Sequence, residues 1–129
     1  MSDGEMDIGT TWESAMIAAH HKLDNLVVIV DKNGFQAMGK TQDILQTEPL
    51  IKKWESFGWY ARKTKGHDFE QIKRHILYGN PEEAGKPKVL IANTTKGKGV
   101  SFMENENLYH YKQLSEEEYE KAKKEIWAK

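Results

Sequence analysis

Apolar residues in TTWESAMIAAHHK, residues 10–22, recur every three or four positions. Trp12, Ala15, Met16 and Ala19, with Leu23 just beyond, fall on one stripe, which predicts a helix. Thr10 or Thr11 would cap it, with Glu13 or Ser14 in its first turn. The pattern changes at LVVIVD, residues 26–31, which is nearly all apolar and β-branched and is bounded by turn formers. That run predicts a strand buried on both faces. KNGFQAMGKTQDI is polar and glycine-containing and reads as loop. TEPLIKKWESF, residues 47–57, fits a helix capped by Thr47 with Pro49 in its first turn. GWYARKT reads as a second strand, and DFEQIKRHILY, residues 68–78, as a helix capped by Asp68. After the loop GNPEEAGKP come a third buried strand, KVLIANT (88–94), and the glycine-rich TKGKG. The last helix, 115–127, opens with Ser115 and Glu118 in capping-box spacing.

Strands that alternate with helices and are apolar on both faces predict an α/β fold with a three-layer, mostly parallel sheet. Three strands leave two open edges, so either the chain is marginal alone or a partner, a second copy of the chain included, completes the sheet. The topology also brings distant residues together. The first helix runs roughly 21 Å at about 1.5 Å per residue, and the first strand returns roughly 20 Å at about 3.3 Å per residue. Asp3, before the helix, and Asn33, after the strand, should therefore meet at one sheet edge. TTKGKG follows a parallel strand and should emerge there too, so three loops converge: Ser2–Gly9, Asp31–Gly39 and Thr94–Gly99. Open α/β sheets bind ligands outside the carboxyl ends of their strands.

The chemistry of these loops is complementary. Asp3, Asp31, Asn33 and loop carbonyls are hard oxygen donors of the kind Mg²⁺ takes together with phosphate and water. Lys96 and Lys98, set between glycines, suit phosphate. Gly4 lets the backbone approach a ligand closely, where amide N–H groups can face an anion. A metal-bridged diphosphate would satisfy the whole set. His110 stands among aromatics in NLYHYKQL, while His20 and His21 lie at a helix end, where a cation suits the dipole.

Composition narrows the classes. The chain has 129 residues, 38% hydrophobic and 30% charged, with four Trp, five Tyr and four Phe, enough for one modest core. A net charge of −1 gives no basic surface for nucleic acid or an acidic membrane. With no cysteine, disulfides and thiolate metal sites are excluded. No apolar run reaches the roughly 18 residues of a membrane span. The amino terminus lacks the basic and apolar regions of a signal peptide, so the expected compartment is the cytoplasm.

SDGEMDIGTTWESAMIAAHHKLDNLVVIVDKNGFQAMGKT closely resembles the thiamine-diphosphate-binding signature of transketolase, a Gly-Asp-Gly followed some thirty residues later by an Asn. It looks most like the amino-terminal subunit of the split bacterial form. TTKGKGVSFMENENLYHYKQLSEEEYEKA resembles the end of the same module, so the likeness covers essentially the whole chain. Residues 1–129 are thus expected to be a single, partial thiamine-diphosphate-binding domain, a diphosphate module lacking its first strand or strands.

The resemblance implies transfer of a two-carbon ketol unit between sugar phosphates, with the cofactor as electron sink and the protein binding, orienting and shuttling protons. It implies that Asp3, Asn33 and the main-chain carbonyl of Phe35 hold Mg²⁺, or Ca²⁺ in its place. It implies that Asp3, Gly4, Asn33, Lys96 and His110 form the cofactor site, with His110 the candidate proton shuttle. The pyrimidine-binding module, which supplies the activating glutamate, would be a separate carboxy-terminal subunit, and homo-oligomers are expected. Three positions depart from the pattern: Ser2 replaces the first Gly, Ile8-Gly9 stands where Glu-Gly is usual, and Tyr109 where Trp is common. The alternatives are a catalytically inactive truncated module and a relative resembling deoxyxylulose-phosphate synthase.

Overall fold

The computed structural model describes residues 1–77 and 83–128. The expected helix end at Tyr78 and the loop start at 79–82 lie outside the described residues. Strands β1 (Val27–Lys32), β4 (Tyr60–Lys65) and β5 (Lys88–Asn93) form a sheet in the order β1-β5-β4, parallel throughout. The register pairs Val28 with Val89 and Val30 with Ile91, and Ala61 with Val89. Met1 and Ser2 run beside the outer edge of β1. Ser2 bridges Asp31 in parallel, and the Asp31 N–H donates to the Met1 carbonyl at 2.7 Å.

Helix α1 (Gly9–His20) links this amino-terminal stub to β1, and α3 (Leu50–Ser56) lies between β1 and β4. Both crossovers step the same way across the sheet, and right-handed crossovers in one direction share a face. One core cluster accordingly joins Ala15 and Ala18 of α1 to Leu50 and Trp54 of α3, and to Val30, Ala61, Val89 and Ile91 of the sheet. Its aromatic centre is tightly packed: the Trp54 and Trp59 rings meet edge to face 4.7 Å apart, and Trp12 sits tilted 5.4 Å from Trp54. The Trp59 indole N–H donates to the Ala15 carbonyl at 2.8 Å, pinning α1 to the segment entering β4. The step from β4 back to β5 reverses direction, so α4 (Phe69–Leu77) belongs to the opposite face. Helices on both faces of a parallel sheet are the architecture that strand alternation predicts.

Several local expectations change. β1 is buried on one face only: Val30 is fully buried but Ile29 is 38% exposed. Among the described residues its outer side meets Met1 and Ser2, whereas central β5 is buried from Val89 to Ala92. The stripe on α1 is rotated, burying Thr11, Ala15 and Ala18 and leaving Met16 50% exposed. Leu23 is exposed as well. Neither Thr10 nor Thr11 caps the helix. A 3₁₀ turn, Gly4–Asp7, precedes it, and the Thr11 hydroxyl donates to the Glu5 carbonyl at 2.7 Å, docking helix on turn.

The segment read as loop after β1 holds a small hairpin, β2 (Phe35–Gln36) and β3 (Gly39–Lys40), then a single helical turn, α2 (Thr41–Ile44). Thr47 does not cap α3. The Glu48 carboxylate accepts the Leu50 N–H at 2.8 Å instead, and Thr47 is buried. Asp68 does cap α4, accepting the Gln71 N–H at 2.9 Å. In α5 (Glu116–Trp127) both halves of the Ser115–Glu118 capping box are present.

Candidate functional site

The stub, β1, β4 and β5 end at one edge, and the three loops expected there are bonded to one another. Asp3 follows the stub directly and is only 1% exposed. Its Oδ2 accepts the Gly34 N–H at 2.7 Å. Asn33 forms an Asx turn, its Oδ1 accepting the Phe35 N–H at 2.9 Å. Gly34 makes that turn possible, because its φ of 84° is strained for any side-chain-bearing residue. Thr94 ties the third loop to β1 through its N–H on the Lys32 carbonyl at 3.1 Å and its hydroxyl on the Asp31 carboxylate. Asp31, a sequence candidate for oxygen donation, is therefore engaged in joining the loops.

Electrostatics single out Asp3. Burial raises its carboxyl above the ordinary value of 3.8; backbone N–H groups of Gly34 and Asn33 and the charge of Lys32 oppose this, while Asp31 adds to it. Lys32 is itself paired with Glu48. Asp3 is thus a buried acid held by backbone donors rather than by a dedicated cation. The Asp3 carboxylate is bonded to Gly34 of this turn, and with the Asn33 amide oxygen and the Phe35 carbonyl it makes a set of hard oxygen donors, the chemistry a small divalent cation takes. Among the described residues no cluster of three or more His, Asp or Glu side chains could hold a metal. A cation here would therefore draw its remaining ligands from phosphate and water.

Gly4 opens the 3₁₀ turn. A Cβ there would meet the Gln36 side chain at 3.6 Å, an ordinary contact, so the fold itself leaves room for a methyl group. Gln36 donates from Nε2 to Asp7 at 2.9 Å, joining the turn to β2. A cavity of about 380 Å³ opens beside Asp3, lined also by Gly34, Phe35, Lys40 and Thr41. The Thr41 hydroxyl is buried with no hydrogen-bond partner among the described residues.

On the third loop, Lys96 Nζ lies 3.2 Å from His110 Nδ1. Lys98 does not share this position; it pairs with Glu104 at 3.4 Å. Gly97, at φ 69°, packs so closely that a Cβ would lie 2.4 Å from the Met103 carbonyl oxygen. This contact folds the loop back on itself, and the Asn105 N–H closes it on the Lys96 carbonyl at 3.0 Å. His110 ends a 3₁₀ turn, Asn107–His110. That turn is fastened to the β2–β3 hairpin by the Asn107 side chain, which donates to the Ala37 carbonyl at 3.2 Å. Tyr109 points elsewhere, its hydroxyl on Glu118 at 3.0 Å.

Asp3, Asn33 and Phe35 thus form one group and Lys96 and His110 a second, with the hairpin between them. Sequence reading missed Asn107 and the loop after β4, which reaches the same edge and places His67 Nε2 2.7 Å from the Thr95 amide nitrogen. The signal was available: Gly66-His67-Asp68 follows a parallel strand, as the other three loops do.

The family model for "Transketolase, thiamine diphosphate binding domain" matches residues 1–128. One subunit of an apulose-4-phosphate transketolase from Actinobacillus succinogenes is 46% identical over 124 residues, covering 96% of this chain and 44% of that protein. One subunit of a 6-deoxy-6-sulfo-D-fructose transketolase from a Clostridium species is 39% identical over 98% of this chain and 46% of its own length. The chain spans less than half the length of these curated relatives. A crystal structure of transketolase from Campylobacter jejuni superposes with a TM-score of 0.86 at 30% identity, over 98% of this chain and 20% of that one. On its sequence and its fold alike, the chain belongs to the transketolase family and corresponds to its thiamine diphosphate binding domain.

Proposed function

We propose that the chain is the diphosphate-binding part of a transketolase-type enzyme that moves a two-carbon ketol unit between sugar phosphates. The observation carrying this reading is Asp3, a buried carboxylate lacking a dedicated cation, on the Asn33–Phe35 turn of a transketolase-family domain. Asp3, the Asn33 side chain and the Phe35 carbonyl would hold Mg²⁺, with Ca²⁺ as a substitute. The Gly4 backbone and the Lys96–His110 pair would receive the diphosphate. The room that the fold leaves at Gly4 supports this, because a bare backbone there serves close approach from outside. When bound, thiamine diphosphate supplies the electron sink for the ketol carbons.

The chain's own residues orient the cofactor, neutralise its phosphates and handle one proton. The Lys96 ammonium can only donate, so His110 Nδ1 accepts from it and the neutral ring carries its proton on Nε2. The Nε2–H would then face a substrate oxygen, with His110 the candidate proton shuttle and Lys96 the cation beside the phosphates. The glutamate that activates the aminopyrimidine would come from a pyrimidine-module subunit, the expected partner. The Actinobacillus relative is named as one subunit of its enzyme, which supports a two-subunit assembly here. No helix among the described residues is long and apolar enough to cross a membrane, and a cytoplasmic setting is proposed with the function. Homo-oligomers are part of the same proposal. The test is reconstitution: the chain, a pyrimidine-module subunit, Mg²⁺ and thiamine diphosphate should transfer ketol units from a ketose phosphate to an aldose phosphate. His110→Ala should lower kcat more than it raises KM. A complete mixture without transfer would leave the inactive-module alternative standing.

A further inference from the structure

The loop after β4 reaches the site edge but has no part in the function proposed so far. Gly66 continues the pairing of β4 past its end, donating its N–H to the Asn93 carbonyl at 2.8 Å. A Cβ on Gly66 would fall 2.3 Å from Thr94 Cγ2 and 2.9 Å from the Asn93 oxygen, so only glycine permits this approach. The approach brings His67 Nε2 to 2.7 Å from the Thr95 amide nitrogen. A backbone N–H can only donate, so Nε2 is the acceptor and the neutral ring carries its proton on Nδ1. The base beneath His67 is firm: Asp68 caps α4, and the Lys65 N–H donates to Gln71 Oε1 at 3.3 Å. Thr95 immediately precedes Lys96, and Thr94 is anchored to β1 on its other side.

We infer that His67 is a positioning residue for Lys96: it holds the Thr95 N–H and thereby sets where the Thr94–Gly99 loop presents its lysine. The inference rests on the cofactor reading above for its consequence, not for its geometry. The Thr95 N–H is committed to His67, so the backbone just before Lys96 is fixed while its ammonium reaches His110.

Two measurements on the whole chain test it. Amide exchange at Thr95 and Lys96 is followed without ligand, and affinity for thiamine diphosphate with Mg²⁺ is read by calorimetry. His67→Leu keeps the bulk and removes the acceptor, so Thr95 exchange should quicken about tenfold and cofactor affinity fall about tenfold. His67→Gln, whose Oε1 reaches about as far as Nε2, should restore both. Lys96→Ala should weaken binding by itself, and adding His67→Leu should cost little more, because the two act through one contact. Unchanged Thr95 exchange in His67→Leu, or fully additive losses in the double variant, would overturn the inference. A wild-type chain that binds no cofactor would instead overturn the proposed function and the cofactor consequence, while the exchange arm still decides whether His67 holds the loop.

Discussion

Asp3 carries an energetic conflict. Because burial raises its carboxyl above the ordinary value of 3.8, the native state binds more protons than the unfolded chain between that value and the raised one. Stability therefore falls as pH rises across that window, and at neutral pH the ionised Asp3 weighs against the empty fold. A bound divalent cation reverses the balance by stabilising the anion. Asp3→Asn keeps an oxygen for the Gly34 N–H and removes the charge, so melting of the ligand-free chain should stay level or rise while Mg²⁺-dependent cofactor binding is lost. A lower melting temperature together with intact binding would contradict this. Metal affinity of the wild type should also weaken as pH drops through the raised Asp3 value, which titrations at several pH values would reveal. Gly4→Ala probes the neighbouring backbone: the fold has space for the methyl group, so thermal melting should barely move while cofactor affinity drops. Asp3 and Asn33 were legible as a pair because one helix and one strand of similar length return the chain to its starting edge. His67 was legible only as a residue following a parallel strand; its bond to Thr95 depends on a glycine contact between two loops that no periodicity records.

At the scale of elements, legibility followed length and period. β1 and β5 announced themselves by sustained apolar runs and α5 by its cap. The β2–β3 hairpin has two residues per strand, too few to show alternation, yet it fastens the His110 turn through Ala37. The stripe on α1 was misplaced because the helix docks on a 3₁₀ turn and on Trp59, so tertiary contacts rather than spacing set its buried face. Trp54 lies fully buried between Trp12 and Trp59. Trp54→Ala should destabilise the chain by about 3–5 kcal/mol in denaturant unfolding. At α5, removal of the Ser115 hydroxyl by Ser115→Ala should cost about 1 kcal/mol by the same measurement. Hydrogen bonds from Lys112 and from the Ser115 backbone hold the Glu118 carboxyl down at about 2, against an ordinary 4.5. Its stabilising effect is present above 4.5 and is lost as pH falls toward 2, so helical circular dichroism should decline in that acid window and less so in Glu118→Gln.

At the scale of the whole molecule, the sheet has β1 and β4 at its edges. Among the described residues, Ser2 bridges the outer side of β1, and Ile29 and Met16 are exposed. Unpaired strand edges invite pairing, so a mass measurement at rising concentration should show self-association; a clean monomer throughout would argue against an oligomer built on this edge. The α/β class and the parallel sheet were legible from strand alternation, whereas the face change between β4 and β5 required the strand order. The loops carrying Asp3, Asn33 and Lys96 at one sheet edge are proposed to make a metal-dependent diphosphate site. The most direct measurement is calorimetric titration of the chain with thiamine diphosphate, with and without Mg²⁺, repeated on Asp3→Asn. Saturable heat that requires both Mg²⁺ and Asp3 is the predicted result; no heat at millimolar cofactor, or equal heat without Asp3, would contradict it.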